Sequence, residues 1–329
     1  MRQVYTIGET VFDIIFRDGQ PVAARPGGAM LNTSVSLGRA GIPVHFISET
    51  GMDNVGDLVH HFLEENGVST SFLLRYPGSK TALALAFLNS NRDADYAFYK
   101  DFPRERLEMD FPVVKEGDMV LFGSFFAVTP EVREKLIRFI RLARESRALI
   151  LYDPNFRKPH LPELPQLLPL IRENIALSSL VRGSDEDFLN IFACNSALEA
   201  YGLVKNPDSG MGDGPDNPRV YDRGEKRDVK RILIYTRNRS GVEVVGDGFH
   251  LSVPVPEIVP VSTIGAGDAF NAGLICYCMK HDITPDRLSE MDVRDCENMV
   301  DMAIRFASDV CLHYDNYITP GLINVSEIC

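Results

Sequence analysis

The run STIGAGDAFNAGL, from Ser262 to Leu274, holds one carboxylate among residues with almost no side chain. Gly265, Ala266 and Gly267 leave their backbone N–H groups uncovered where a helix is expected to begin. The positive end of the helix dipole points at the same place, which suits a phosphoryl group that is gaining negative charge. Asp268 falls in the first turn, where a carboxylate can take the proton of an attacking hydroxyl while the amides hold the phosphoryl group. Glycine-rich helix starts also arise from close helix–sheet packing, so this run alone leaves both readings open.

The elements that must position these residues alternate. Val4–Ile7, Thr10–Phe16 and Val44–Ser48 read as strands, and Leu31–Ala40 and the stretch up to Asn66 as helices closed by Gly41 and Gly67. After residue 102 the alternation resumes. Strands are expected at Met119–Phe122, Ala148–Tyr152, Leu177–Val181, Ile232–Tyr235 and Val242–Val245, the last clear ones. Helices are expected at Pro130–Ser146, Leu164–Ile175, Gly265–Lys280 and Glu297–His313. Such alternation calls for a parallel sheet covered by helices on both faces. Residues 71–102 differ: Ala82–Leu88 and Tyr96–Tyr99 flank the turn-rich 89–93, a pattern of antiparallel hairpins that reads as a small lid. Residues 206–218, rich in Pro, Gly and Asp, read as a surface loop whose carboxylate spacing does not fit a calcium loop.

The bulk properties narrow the function classes. With 329 residues and 45% hydrophobic content the chain can bury a large core. A net charge of -12 disfavours a nucleic-acid partner, so any anion must be held by a local device. The six cysteines lie in the second half without a CxxC pair, which favours core packing over metal or disulfide. No apolar stretch is long enough for a membrane helix and no signal peptide is legible, so a cytoplasmic location is expected.

Five segments together resemble one known family. Gly265–Asp268 resembles the C-terminal signature of the ribokinase-like (PfkB) carbohydrate kinases, and Gly27–Asn32, with Gly41 and Gly51, resembles the N-terminal one. Gly8–Asp13, Gly51–Gly56 and Asp153–Arg157 have counterparts in the same order. The resemblance implies one α/β domain over 1–329: a three-layer, mainly parallel sheet with a β-hairpin lid from about 12–25 and 71–102. It implies an ATP- and Mg²⁺-dependent kinase acting on a sugar hydroxyl, with Asp268 as base, Gly265, Ala266 and Gly267 as the catalytic turn beside it, and the amides of Ala266 to Asp268 as anion hole. The Gly8–Glu9 start and the Asp153–Arg157 segment lean toward fructokinase or 2-keto-3-deoxygluconate kinase. Asp13, Gly28 and Asn32 should hold sugar hydroxyls, a role their donors, acceptors and bare backbone suit. Asp13 also interrupts an apolar run, where a charge needs a purpose. Arg157 reads either as an anion contact or as a surface salt bridge.

The nucleotide side departs from the family's pattern. Ser262 stands where an Asp is usual, and Ser184–Asp187 stands for Asn-x-x-Glu, leaving Asp187 to place a hydrated Mg²⁺ through water. Thr236–Gly241 stands for Thr-x-Gly-x-x-Gly, with Asn238 in place of a glycine; Asn tolerates left-handed φ well, so the turn can survive. The loop Leu312–Tyr317 lacks the customary Gly-Ala, which together with Ser262 puts a monovalent-cation site in doubt. These departures motivate the alternative of a non-catalytic sugar sensor. A homodimer joined through the lid is expected, because an isolated hairpin pair has exposed edges and is marginal in water.

Overall fold

A computed structural model of the chain describes residues 1–88, 94–207 and 230–323. The turn expected at 89–93 and residues 208–218 of the expected loop lie outside these. The central sheet is built from β1 (Val4–Ile7), β4 (Val44–Gly51), β5 (Val68–Ser69), β6 (Leu73–Tyr76), β9 (Met119–Gly123), β10 (Leu149–Asp153), β11 (Leu180–Ser184), β12 (Ile232–Thr236), β13 (Val242–Gly246) and β14 (Phe249–Val253). Its order is β14-β13-β12-β11-β10-β9-β1-β4-β5, with β6 also paired to β4. Pairings from β5 through β12 are parallel, and only β12–β13 and β13–β14 run antiparallel. The remaining four strands, β2 (Val11–Arg17), β3 (Gln20–Gly27), β7 (Lys80–Leu88) and β8 (Ala94–Asp101), form a second sheet in the order β3-β2-β7-β8.

Period-two burial makes three layers. Met119 and Leu121 of β9, and Leu149 and Leu151 of β10, face one apolar cluster; Val120, Phe122, Ile150 and Tyr152 face the other. The first cluster is covered by α1 (Ala29–Arg39), α2 (Asn54–Glu65), α7 (Ala266–Lys280), α8 (Pro285–Glu290) and α9 (Val293–Cys311). The second is covered by α3 (Pro130–Glu145), α4 (Leu164–Leu177), α5 (Asp185–Phe192) and α6 (Ala197–Lys205). Strands buried on both faces need continuous apolar runs, which is what β9, β10 and β11 carry. Cys276 and Cys278 pack inside the first cluster.

Four sequence expectations are corrected. The strand expected at Leu177–Val181 begins at Leu180, because α4 continues through Leu177 and the Ser178 hydroxyl then donates to the Asn174 carbonyl. The sheet continues past β13 into β14, an edge strand whose exposed His250 and Ser252 gave only a weak apolar signal. The last helix starts at Val293, where the Asp292 side chain caps it by accepting from Asp295 N, four residues before Glu297. The lid's second segment begins at Lys80 and not at 71, since Leu73–Tyr76 pair in parallel with Ser48–Gly51 of the central sheet. Within the lid, β2–β3 and β7–β8 are antiparallel hairpins, while β2 and β7 join them in parallel.

Candidate active site

The C-terminal ends of β10 and β11 meet the first turns of α7 through Asp153–Asn271 and Arg182–Gly267, at the end of the sheet where open parallel sheets usually bind ligands. Gly265 caps α7 in the left-handed region at φ 83°, and a Cβ there would lie 2.5 Å from the carbonyl oxygen of Asn316. Gly267 packs less tightly, with the place of its missing Cβ 3.0 Å from a guanidinium nitrogen of Arg182. Thus the bare turn is fixed from both sides, by the C-terminal loop and by β11.

Asp268 lies in the first turn of α7. Its Oδ2 accepts from Nδ2 of Asn32 at 2.8 Å, and its main-chain carbonyl accepts from the Thr33 hydroxyl at 3.0 Å. Burial pushes its pKa up to about 7; Asn32 opposes that rise, nearby Asp153 adds to it, and Arg157 and Arg182 also oppose it. The result is a carboxyl group poised near neutrality with Oδ2 engaged and Oδ1 left for a proton.

Asp13 sits on β2 opposite Arg25 of β3 and Ala84 of β7, so the lid carries it to the site. Burial raises its pKa to about 6, and Arg25 opposes the rise. Its carboxylate fills the space above Gly27, where a Cβ would come within 2.2 Å of Oδ2. Gly28, at φ 121°, opens α1, which carries Asn32 one turn on. Lys100 of β8 bridges to Glu9 at 2.5 Å, tying the lid's far strand to the β1–β2 turn. Arg157 is exposed beyond β10, and its charge reaches Asp268.

The nucleotide-side residues are placed differently. Ser184 and Asp187 form a capping box at the start of α5: Asp187 N donates to the Ser184 hydroxyl at 3.1 Å, and Ser184 N donates back to Oδ2 of Asp187 at 2.7 Å. Oδ1 of Asp187 accepts from Phe156 N at 2.7 Å, which ties α5 to the Asp153–Arg157 segment. Burial raises its pKa, with nearby Asp153 adding to the rise. Thr236 ends β12 and accepts from Arg182. Asn238 has φ 46° and Gly241 φ 100°, so the turn keeps its left-handed positions with Asn at the first. Ser262 accepts from Ile264 N through its hydroxyl at 3.2 Å.

A model of the pfkB family of carbohydrate kinases matches residues 1–311. The chain belongs to that family. A probable chloroplastic fructokinase-6 of Arabidopsis thaliana is 26% identical over 283 residues, covering 83% of this chain and 69% of the relative. A fructokinase of Vibrio alginolyticus is 23% identical over 283 residues, covering 85% of each chain. Among solved structures, the fructokinase of Vibrio cholerae O395 in its fructose-, ADP- and calcium-bound form superposes with a TM-score of 0.78 at 20% identity, covering 100% of this chain and 98% of that one. The ATP-bound fructokinase of Xylella fastidiosa gives 0.79 at 20% identity, covering 99% and 96%. At such identity these structures establish the ribokinase-like three-layer fold of this carbohydrate kinase.

In this pfkB kinase the structure also brings together residues to which the sequence assigned no role. Asp153 ends β10 fully buried; its Oδ2 accepts from Asn271 Nδ2 at 2.6 Å and from Arg182 at 3.0 Å, while its Oδ1 accepts from Asn155 N at 3.0 Å. Arg182 spans the gap from Asp153 to the Thr236 hydroxyl, 3.0 Å away. Two signals pointed to them: a charge after the apolar Leu180–Val181 on a buried strand, and an amide at Asn271 inside an otherwise apolar helix. Each polar group in such a place needs a partner. No helix among the described residues is long and apolar enough to cross a membrane.

Proposed function

We propose that this carbohydrate kinase transfers the γ-phosphoryl group of ATP to a hydroxyl of a fructose-like sugar or sugar acid, with Asp268 as general base. The observation that carries the reading is the Asn32–Asp268 contact beside the bare Gly265–Gly267 turn. Asn32 and Asp13 would orient the sugar, and Oδ1 of Asp268 would accept the proton as the hydroxyl oxygen bonds to phosphorus and ADP leaves. The amides of Gly267 and Asp268 would take up charge on the transferring group, while that of Ala266 already donates to the Thr263 carbonyl at 3.3 Å. The related proteins named fructokinase in plants and bacteria, and the fructokinase structures holding fructose, ADP and ATP, support this acceptor and donor.

Mg²⁺ would neutralise charge on the β- and γ-phosphate oxygens. Asp187 suits a contact through water better than a direct one: Oδ2 is taken by the Ser184 amide and hydroxyl, whereas Oδ1 has the single donor Phe156 N. Free buried cysteines fit the reducing cytoplasm, where ATP is also at hand. A sugar sensor would have no need of a carboxyl group poised near neutrality beside a bare helix start, which weighs against the non-catalytic alternative.

Coupled detection of ADP release over a panel of ketoses, aldoses and sugar acids tests the reading. Saturable turnover is expected with a ketohexose or a 2-keto sugar acid. Binding of a sugar by calorimetry without turnover of any panel member would favour the sensor instead.

A further inference from the structure

The Arg182 side chain touches both sides of the site. One terminal nitrogen donates to Asp153 at 3.0 Å and the other to the Thr236 hydroxyl at 3.0 Å. The same guanidinium lies against Gly267, and its Cζ is 5.7 Å from the centroid of the Phe270 ring. It is buried, and its Nε has no hydrogen-bond partner among the described residues. A buried cation with an unsatisfied N–H is costly unless the field it produces is used. A Cβ at position 267 would lie 3.0 Å from this guanidinium, so a bare backbone there lets the two pack without displacement.

We propose that Arg182 is a positioning residue for phosphoryl transfer, a fixed cation behind the anion hole that holds the Gly267 turn against Asp153 and Thr236. The Asp153–Arg182 pair joins the strand end that leads to Arg157, the helix that carries Asp268, and the strand end on the nucleotide side. Positive charge fixed beneath the turn strengthens the attraction of its amides for a group gaining negative charge, with no reorganisation during the reaction. A fork that bonds two partners at once also sets distances that a lysine cannot set.

The groups facing Asp268 are Asn32 from α1, Asp153 from β10, Arg157 beyond β10 and Arg182 from β11. Those facing Arg182 are Asp153, Thr236 and, electrostatically, Asp187 from α5. Arg157 and then Arg182 oppose the rise in the Asp268 pKa; Arg182 is the buried one, held by two hydrogen bonds, so its removal should be felt by the base.

This inference rests on Asp268 being the base, and the test separates the two. Arg182→Gln, Arg182→Lys and Asp268→Asn are compared with wild type by pH–rate profile, circular dichroism and sugar titration without nucleotide. Arg182→Gln should lower kcat about tenfold or more and move the acidic limb of the profile up by about half a pH unit or more. Its sugar affinity should stay within about threefold, since Arg182 lies on the phosphoryl side. Arg182→Lys keeps the charge and loses the fork, so its limb should stay in place while kcat falls several-fold. A folded Arg182→Gln with wild-type kcat and an unmoved limb would overturn the proposal. Should that variant not fold, an Arg182→Lys with unchanged kcat, or with its limb raised by half a unit, would do the same. If Asp268→Asn keeps more than about a tenth of wild-type kcat, the base assignment fails, whatever the Arg182 variants do.

Discussion

Nδ2 of Asn32 lies 2.8 Å from Oδ2 of Asp268, so one hydrogen bond joins the helix expected to meet the sugar to the helix that begins at the anion hole. The next residue repeats the tie: the Thr33 hydroxyl lies 3.0 Å from the Asp268 carbonyl and 3.1 Å from that of Ala29. The residues proposed for acceptor binding and for the base therefore share a backbone unit.

Asp268→Asn should cut kcat by roughly 10²–10⁴ and leave sugar binding close to wild type. It should also stabilise the protein at alkaline pH. A carboxyl group raised from 3.8 to about 7 binds its proton more tightly in the folded state. That contribution is fully present below about pH 4 and is lost as pH rises through 7. At pH 8 the native state is disfavoured by at most ~4 kcal/mol, a burden the amide does not carry. Calorimetric melting should show the variant above wild type at pH 8, with a smaller gap at pH 5. Melting at or below wild type at pH 8 would count against the raised pKa.

The acidic limb of kcat/KM should lie near pH 7, because the base works only when ionised. Asn32→Ala removes the hydrogen bond that favours the ionised form, so the limb should move upward and the sugar KM should rise with it. Rates measured between pH 5.5 and 9 decide this; a limb that stays fixed while KM rises would confine Asn32 to binding.

Activity should need Mg²⁺ and respond little to K⁺. Two carbonyls of the C-terminal loop already receive cationic donors: Tyr314 from Arg25, and Ile318 from Arg39 at 2.8 Å. Ser262, where a carboxylate would favour a cation, instead accepts from a local amide. Initial rates after chelation, with Mg²⁺ and then KCl restored at fixed ionic strength, test both halves. Tenfold activation by K⁺ would mean that a monovalent site survives on backbone oxygens alone.

The protein should dimerise through its lid. Strand register puts Phe12, Ile14, Phe16, Leu83, Leu85, Phe87 and Tyr99 on one face of that sheet. Phe87 is 43% and Tyr99 59% exposed, and an apolar sheet face of this kind needs cover. Tyr99→Asp with Phe87→Asp should yield a monomer by light scattering where wild type is a dimer. Wild type that is monomeric at high micromolar concentration would remove the idea.

Much of the fold was legible because strands buried on both faces need unbroken apolar runs, and Met119–Phe122 and Leu149–Tyr152 supply them. Boundaries failed where one residue set suits two elements. Ile175-Ala-Leu177 can end a helix or begin a strand, and the Ser178–Asn174 hydrogen bond chose the helix. Leu73–Tyr76 carries the β-rich character of the lid, and only parallel pairing with β4 assigns it to the central sheet.

The sequence by itself determined the bare turn at Gly265–Gly267, the carboxylate one residue on, and the order of segments that marks a pfkB carbohydrate kinase. These are local features, since a glycine-rich helix start exposes its amides whatever surrounds it. The tertiary structure decided what surrounds Asp268. Asn32 lies 236 residues away in the chain, Asp153 115 residues and Arg182 86, yet all three act on one carboxyl group. Its pKa is set by burial and by charges brought close through parallel strand pairing, and neither can be read along the chain.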